Sequence, residues 1–349
     1  MKFRELKIGD LTAKLPIIQG GMGIGVSLSN LASAVANEGG IGVISGVQMG
    51  FREPDFATNP VEANLRALRS EIRKAREKTK GIIGINLMAA MNNYELYVKE
   101  AVKEKIDIII SGAGLPIALP KLVQGTNTKI APIVSSAKAA KVIINSYLKH
   151  DRLPDAVVVE GPLAGGHLGF KYEELIEKSY KSLKQITIEV KELIKTYEEK
   201  YDVKIPVISA GGIRTKKDIE EVMEAGADGV QIASLFVPTV ECDAHENFKR
   251  AYLEATNDDV MIIKSPVGMP GRALKTNFLL NSINGEGELI NKCYLCIKNC
   301  DTKNIPYCIT TGLVNSVTGG DGLIFAGADI GNIEKRLKTV KEVIDELIN

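Results

Sequence analysis

Eight short apolar runs separated by longer amphipathic stretches constrain this chain more than any other feature. The runs are Leu15–Gln19, Gly40–Ile44, Ile82–Asn86, Asp107–Ser111, Ile130–Val134, Ala156–Glu160, Pro206–Ser209 and Gly229–Ala233. Most are continuous in Val, Ile and Ala with no polar alternation, the pattern of parallel strands buried on both faces. Helical stripes fill most of the gaps. Asn59-Pro60 supplies a cap and an N1 proline ahead of Val61, Leu65, Leu68, Ile72 and Ala75. Leu28, Leu31 and Val35 form a shorter stripe that ends at Gly39-Gly40. The charged segment Lys171–Lys200 places Leu183, Ile186, Val190, Leu193, Ile194 and Tyr197 on one face. Eight such alternations within residues 1–234 predict an α/β chain folded as a (β/α)8 TIM barrel rather than a doubly wound sheet.

Beyond Ser234 the rhythm stops. Pro238–Ala255 reads as helical, Ile262–Asn277 as extended and Pro/Gly-rich, and Ile333–Ile348 as a closing helix. Between them Glu288–Gly312 holds four of the five cysteines. The expected organisation is a barrel over 1–234, a smaller C-terminal cap over its mouth at 235–327, and a helix within 328–349 packing back on the barrel.

Charge and hydropathy exclude several partner classes. Lys+Arg number 44 against 43 Asp+Glu, so no basic field invites nucleic acid or an anionic membrane surface. No apolar run approaches the ~20 residues that span a bilayer, and MKFRELKIGD is too polar for a signal peptide. A cytoplasmic location with reduced thiols is the expectation. Oligomeric state is left open, a homo-oligomer included.

Chemistry in a barrel collects at the carboxyl ends of its strands. There, IPVISAGGIRTKKDIEEVMEAGADGVQIAS (Ile205–Ser234) reads as strand, Gly-Gly turn, capped helix and strand. Gly211 and Gly212 carry no side chains, so their N–H groups can approach an anion closely. Thr215 and Asp218 form a capping-box-like helix start, and Gly226 sits at the helix end. With Ser234 closing the second strand, the segment is expected to act as a phosphate grip. Gln19-Gly20-Gly21-Met22-Gly23 could lay backbone against a flat ring, or be no more than a tight loop. The Asn86 amide offers a donor and an acceptor to a heteroaromatic edge, although Asn also ends strands for turn reasons alone. Ser111-Gly112-Ala113-Gly114 and Ser135-Ser136 occupy two further strand ends. After the sixth strand comes EGPLAGGHLG, in which His167 follows Glu160 within a Gly-rich loop. An imidazole there can exchange a proton or polarise a substrate beside a cofactor. The alternative is a loop histidine bonded to backbone, as expected for His150 and His245.

The series PIIQGGMG, GINLM, SGAGLP, APIVSS, EGPLAGGHLG, IPVISAGGI and GADGVQIAS resembles the nitronate monooxygenase (2-nitropropane dioxygenase-like) flavoproteins. It is also similar to the flavin-dependent type II enoyl-ACP reductases. The resemblance extends through VECDAHENFKRAYLEA and PVGMPGRALKTNF. It implies a TIM barrel with FMN, whose phosphate is held by the backbone of Gly211, Gly212, Ala233 and Ser234, with Gln231 and Ile232 in the same grip. It also implies that Gly21, Met22, Asn86, Glu160 and Gly165 contact the ring or ribityl chain, with His167 facing substrate above the flavin. Two positions depart from the pattern. Ala233-Ser234 stands where the family usually has Gly-Thr, which keeps the backbone donors and a hydroxyl. Glu160 stands where the monooxygenases often have Gln and the enoyl reductases Glu.

The four cysteines follow C-x2-C-x3-C-x7-C: Cys293, Cys296, Cys300 and Cys308. The spacing is similar to the iron–sulfur motif of 2,4-dienoyl-CoA reductase-type barrel flavoenzymes, whose last gap is longer. An Fe–S cluster or a tetrahedral zinc could use all four thiolates, or the thiols could simply stay reduced. Cys242 is expected to be packing. The resemblance thus leads to a flavin-dependent oxidoreductase that takes an alkyl nitronate and O2. The alternatives are an NAD(P)H-dependent enoyl-ACP reductase, an NAD(P)H:quinone reductase, or a non-enzymatic flavin/Fe–S electron-transfer module.

Overall fold

The computed structural model describes residues 3–287, 289–298 and 300–349. A hairpin of β1 (Leu6–Ile8) and β2 (Leu11–Ala13) leads into β3 (Ile17–Gln19), β4 (Gly42–Ser45), β5 (Ile83–Met88), β6 (Ile108–Gly112), β7 (Lys129–Val134) and β8 (Val157–Glu160). A two-residue strand β9 (Gly166–His167) follows, then β10 (Val207–Ala210), β11 (Gly229–Ile232), β12 (Val260–Lys264) and β13 (Pro270–Leu274). Eight of these form one parallel sheet in the order β3-β11-β10-β8-β7-β6-β5-β4. Its two ends meet where Ile18 bridges Ile41. These are the eight runs read from the sequence, with ends moved by one or two residues.

Alternation explains why those runs are apolar throughout. Ile108, Ile110, Val158 and Ile208 point into the barrel, where Leu6 and Ile8 of the hairpin join them. Ile109, Val157, Val159 and Val207 point outward against the helices. Both faces are dry, and each such side chain is worth roughly 1.5–3 kcal/mol on burial. At the amino ends of the strands, aspartates answer backbone donors left over by the ladder. Ile83 N donates to Asp107 Oδ2 at 2.8 Å, Ile130 N to Asp155 Oδ2 at 2.9 Å, and Val207 N to Asp228 Oδ2 at 2.8 Å.

The helices begin where caps permit. Pro60 at the first position opens Pro60–Lys78, with no cap bond from the Asn59 side chain, and the Thr215/Asp218 capping box opens Lys216–Glu224. Three expected helices are shorter than their apolar-charged patterns. Lys171–Lys200 is divided into Tyr172–Glu177 and Leu183–Tyr201, because Lys178 turns left-handed (φ +55) and the Ser182/Gln185 capping box starts a new helix. Within Pro238–Ala255 only Glu246–Glu254 is helical. The preceding Asp243 carboxylate is drawn to the N–H groups of Leu28, Asn30 and Leu31 at the start of helix Ser29–Asn37. The closing helix spans Val340–Ile348, set by the Thr339/Glu342 capping box. It packs on Ser29–Asn37 and Lys216–Glu224. Among the described residues no helix is long and apolar enough to cross a membrane.

The region expected to be merely extended forms a three-stranded antiparallel sheet, β12-β13-β9. Gly271 pairs with His167 and Arg272 with Gly166. The C-terminal hairpin is therefore stitched to the loop that follows β8.

Candidate active site

A cavity of about 410 Å³ lies at the carboxyl ends of the barrel strands, within the size range of small-molecule sites. Gly21 and Met22 after β3, Asn86 in β5, and Glu160, Gly165 and His167 in and after β8 line it. So do Gly211 and Gly212 after β10, together with Gln231, Ile232, Ala233 and Ser234 at the end of β11. Every residue that the resemblance assigns to cofactor or catalysis thus lines one chamber, whereas Ser111, Ser136, Cys293, Cys300 and Cys308 are not part of its lining. Gly21 is there because a Cβ would collide with that of Asn86. Gly165 is there because a Cβ would lie 2.6 Å from the Ala326 carbonyl carbon.

One wall presents backbone donors without backbone partners among the described residues. Gly211 and Gly212 adopt φ +96 and +83, a region that glycine enters without steric cost. A Cβ at Gly212 would lie 3.0 Å from that of Leu163. Among the described residues, the N–H groups of Gly211, Gly212, Ala233 and Ser234 donate to no other backbone group. Ser234 opens a short 3-10 turn, and its Oγ accepts from Gly327 N at 3.3 Å, tying the C-terminal segment to the grip. Two more polar atoms are left over: Gln231 Oε1 and Arg214 Nε are buried without a hydrogen-bond partner. Each costs about 1–3 kcal/mol in that condition, and both residues line the cavity.

His167 lines the same chamber. Its Nε2 lies 2.8 Å from Ser265 Oγ, which in turn accepts from Val267 N at 3.3 Å. The edge of its ring meets Phe325 at a centroid distance of 5.0 Å. Among the described residues Nδ1 has no partner. Burial pushes His167 down to about 4, so the imidazole is neutral at neutral pH. Glu160 moves the other way. Burial pushes it up to about 8, against the Gly169 N–H and the nearby Arg272, which favour the charged form. Both side chains are half-buried, and the surface they retain lines a chamber beneath the C-terminal segments. Arg272 is buried on β13 and donates to the Ala164 carbonyl.

Comparison with known proteins identifies the scaffold. The family model for nitronate monooxygenase matches residues 4–349. The chain belongs to the nitronate monooxygenase family. It is therefore a flavin-dependent oxidoreductase. Among curated relatives, a (3aS,4S,5R,7aS)-5-hydroxy-7a-methyl-1-oxo-octahydro-1H-indene-4-carboxyl-CoA dehydrogenase of Rhodococcus jostii is 23% identical, covering 95% of this chain and 91% of the relative. A probable nitronate monooxygenase of Staphylococcus saprophyticus is 24% identical over 80% of this chain and 81% of its own. FabK from Thermotoga maritima superposes with a TM-score of 0.72 at 26% identity, covering 96% of this chain and 92% of that one. A nitroalkane oxidase from Streptomyces ansochromogenes shares the fold, with a TM-score of 0.71 at 20% identity, covering 96% and 95%.

Several cavity residues of this family member escape a reading by strand ends. Val267, Met269 and Phe325 come from the C-terminal third and line the chamber, while Ser265 and Arg272 touch its lining at His167 and Ala164, an arrangement that goes with the pairing of β13 with β9. Arg272 lies in PVGMPGRALKTNF, a segment noticed for its resemblance but without an assigned role. The cysteine-bearing segment also reaches the chamber, for Cys296 is part of its lining. That segment is laced to the loop after β5: Asn92 N donates to Cys296 O at 3.2 Å, and Lys298 N to Ala90 O at 3.0 Å. All four thiols are free. Among the described residues no three Cys, His, Asp or Glu side chains are grouped so as to hold a metal ion. Glu288 and Asn299 of this segment lie outside the described residues. Cys242 is buried in an apolar cluster, as expected of a packing residue.

Proposed function

We propose that the chain binds FMN and oxidises alkyl nitronates with O2. The observation that carries this reading is a set of free backbone N–H groups and a neutral, positioned histidine lining one chamber. FMN fits the donor set. Its phosphate would take the free N–H groups of Gly211, Gly212, Ala233 and Ser234, and its hydroxyls would satisfy Gln231 Oε1. Asn86 lines the chamber with no hydrogen bond to its amide among the described residues, which leaves both halves of that group for a ring edge. When bound, the flavin supplies the redox chemistry, accepting electrons from substrate and passing them to O2.

The protein's own groups orient the substrate. The hydroxyl of Ser265 accepts from Val267 N, and in the tautomer that carries the ring proton on Nδ1 it donates to His167 Nε2. The Nδ1 N–H then offers a hydrogen bond to an anionic nitronate oxygen. An imidazole held near 4 is a poor base at neutral pH. The substrate is accordingly the nitronate, already deprotonated, rather than the neutral nitroalkane. Protonated Glu160 adds no negative charge to repel it.

A second reading is reduction of an enoyl thioester by NAD(P)H. It is favoured by Glu160 and by the apolar wall of Ile24, Val26, Met88, Leu313 and Phe325, which has room for an acyl chain. Similarity to FabK and to the hydroxy-octahydroindene-carboxyl-CoA dehydrogenase of Rhodococcus jostii points the same way. Steady-state assays separate the two. O2 consumption with propyl-2-nitronate and no oxidation of NAD(P)H by a crotonyl thioester is the expected result. The opposite pattern assigns the thioester reaction.

A further inference from the structure

We propose that Arg214 is a further ligand of the cofactor phosphate, adding a full positive charge to the backbone donors of Gly211, Gly212, Ala233 and Ser234. The inference rests on the flavin reading above and concerns a residue outside the motifs that suggested it, since IPVISAGGI stops one position short of Arg214. Three observations lead to it.

The guanidinium is held at one corner and open along one edge. Its Nη1 donates to the Asp329 carbonyl at 3.1 Å. Its Nη2 lies 3.8 Å from Asp329 Oδ2, beyond hydrogen-bond reach. Nε is buried with no partner. An arginine serving only an ion pair engages a carboxylate through two parallel N–H bonds. Here the edge formed by Nε and Nη2 is left for another acceptor, and two phosphate oxygens match that fork.

The residue belongs to the neighbourhood of the grip. Arg214 lines the chamber together with Asp329. The segment carrying Asp329 is fastened to the same wall: Gly327 N donates to Ser234 Oγ at 3.3 Å, and Ala328 N to the Leu163 carbonyl at 3.1 Å. Leu163 is also the side chain that a Cβ at Gly212 would meet. Asp218 Oδ2 fixes the Arg214 backbone by accepting from its N–H at 2.9 Å.

The charge needs an answer that the backbone cannot give. A phosphate monoester carries about −1.5 to −2 charge at neutral pH, whereas peptide N–H groups contribute partial charges only. Among the side chains lining the chamber, Arg214 is the one lysine or arginine. The nearby helix Lys216–Glu224 offers little more, because the Asp218 carboxylate already sits in its first turn and accepts from Thr215 N.

The flavin-free full chain, titrated with FMN and with riboflavin, tests this directly, since the two ligands differ only in the phosphate. Wild type should bind FMN more tightly. Arg214→Gln should weaken FMN by about 10- to 100-fold, the scale of a hydrogen bond to a charged group, and leave riboflavin within about twofold. Unchanged FMN affinity overturns the assignment. So does equal weakening of both ligands, which would make Arg214 a fastener of the Asp329 segment. Wild type that binds the two flavins equally, or neither, removes the phosphate grip itself and the inference with it. A wild-type measurement decides even if the variant does not fold. Phenylglyoxal modification of Arg214, followed by peptide mass spectrometry, should be slowed by saturating FMN, and an unchanged rate overturns the proposal.

Discussion

Gly212 shows how much a single missing side chain can do. Its φ of +83 and the 3.0 Å approach of Leu163 oppose any Cβ at that position. A residue with a Cβ pays about 1–2 kcal/mol for the left-handed backbone alone. Relief by rotation of the peptide would turn an N–H away from the anion it serves. Gly212→Ala should therefore weaken FMN binding by at least about tenfold, read by titrating the flavin-free protein. Unchanged affinity would remove Gly212 from the phosphate grip. His167 acts on the other partner. Replacement by Asn removes the ring that Ser265 positions but leaves the cradle untouched. Turnover of nitronate should fall about 100-fold, the scale of a lost orienting contact, while flavin content stays at the wild-type level. Loss of flavin as well would make His167 part of cofactor binding instead.

At the scale of elements, the decisive contact joins β9 to β13, 104 positions apart at the His167–Gly271 pair. It brings the β12–β13 turn, and Ser265 with it, against His167 Nε2. Ser265→Ala leaves the strand pairing in place but releases the ring from its one hydrogen bond. Turnover should drop about tenfold with flavin content and thermal midpoint nearly unchanged, because an isolated hydrogen bond is worth only about 1 kcal/mol. An equal loss of flavin would show that Ser265 supports the scaffold rather than the imidazole. The same contact explains what could be read from sequence and what could not. The barrel was legible because Val158 and Val159 must each meet apolar neighbours, one inside and one outside, so burial on both faces writes itself into consecutive residues. The glycines of the grip were legible because their lack of side chains is local information. Ser265, Arg272 and Phe325 were not, since their place depends on a long-range pairing with a two-residue strand too short to leave a pattern. The break at Lys178–Ser182 went unseen because the charged, stripe-like pattern continues across it while the Ser182/Gln185 capping box restarts the helix.

The whole molecule couples this chamber to pH through two groups that burial moves in opposite directions. Glu160 rises from an ordinary 4.5 to about 8 on folding. Between those values the unfolded chain gives up the proton that the folded chain retains. Stability from this group is thus complete below about 4.5 and declines as pH rises to about 8. His167 falls from 6.5 to about 4, so its contribution is complete above about 6.5 and is lost as pH falls through that window. The flavin-free protein should be most stable between the two losses, near mildly acidic pH, with the alkaline decline carried by Glu160. Glu160→Gln tests this cleanly, since glutamine keeps the shape and cannot ionise. Compared with wild type in urea at pH 5 and pH 8.5, the variant should gain relative stability at the higher pH on the order of a few kcal/mol. Parallel behaviour at both pH values would mean that Glu160 ionises as it does in water, and that the chamber holds a charged carboxylate beside Arg272. In that case the charge would repel a nitronate, and the thioester reading would become the stronger of the two.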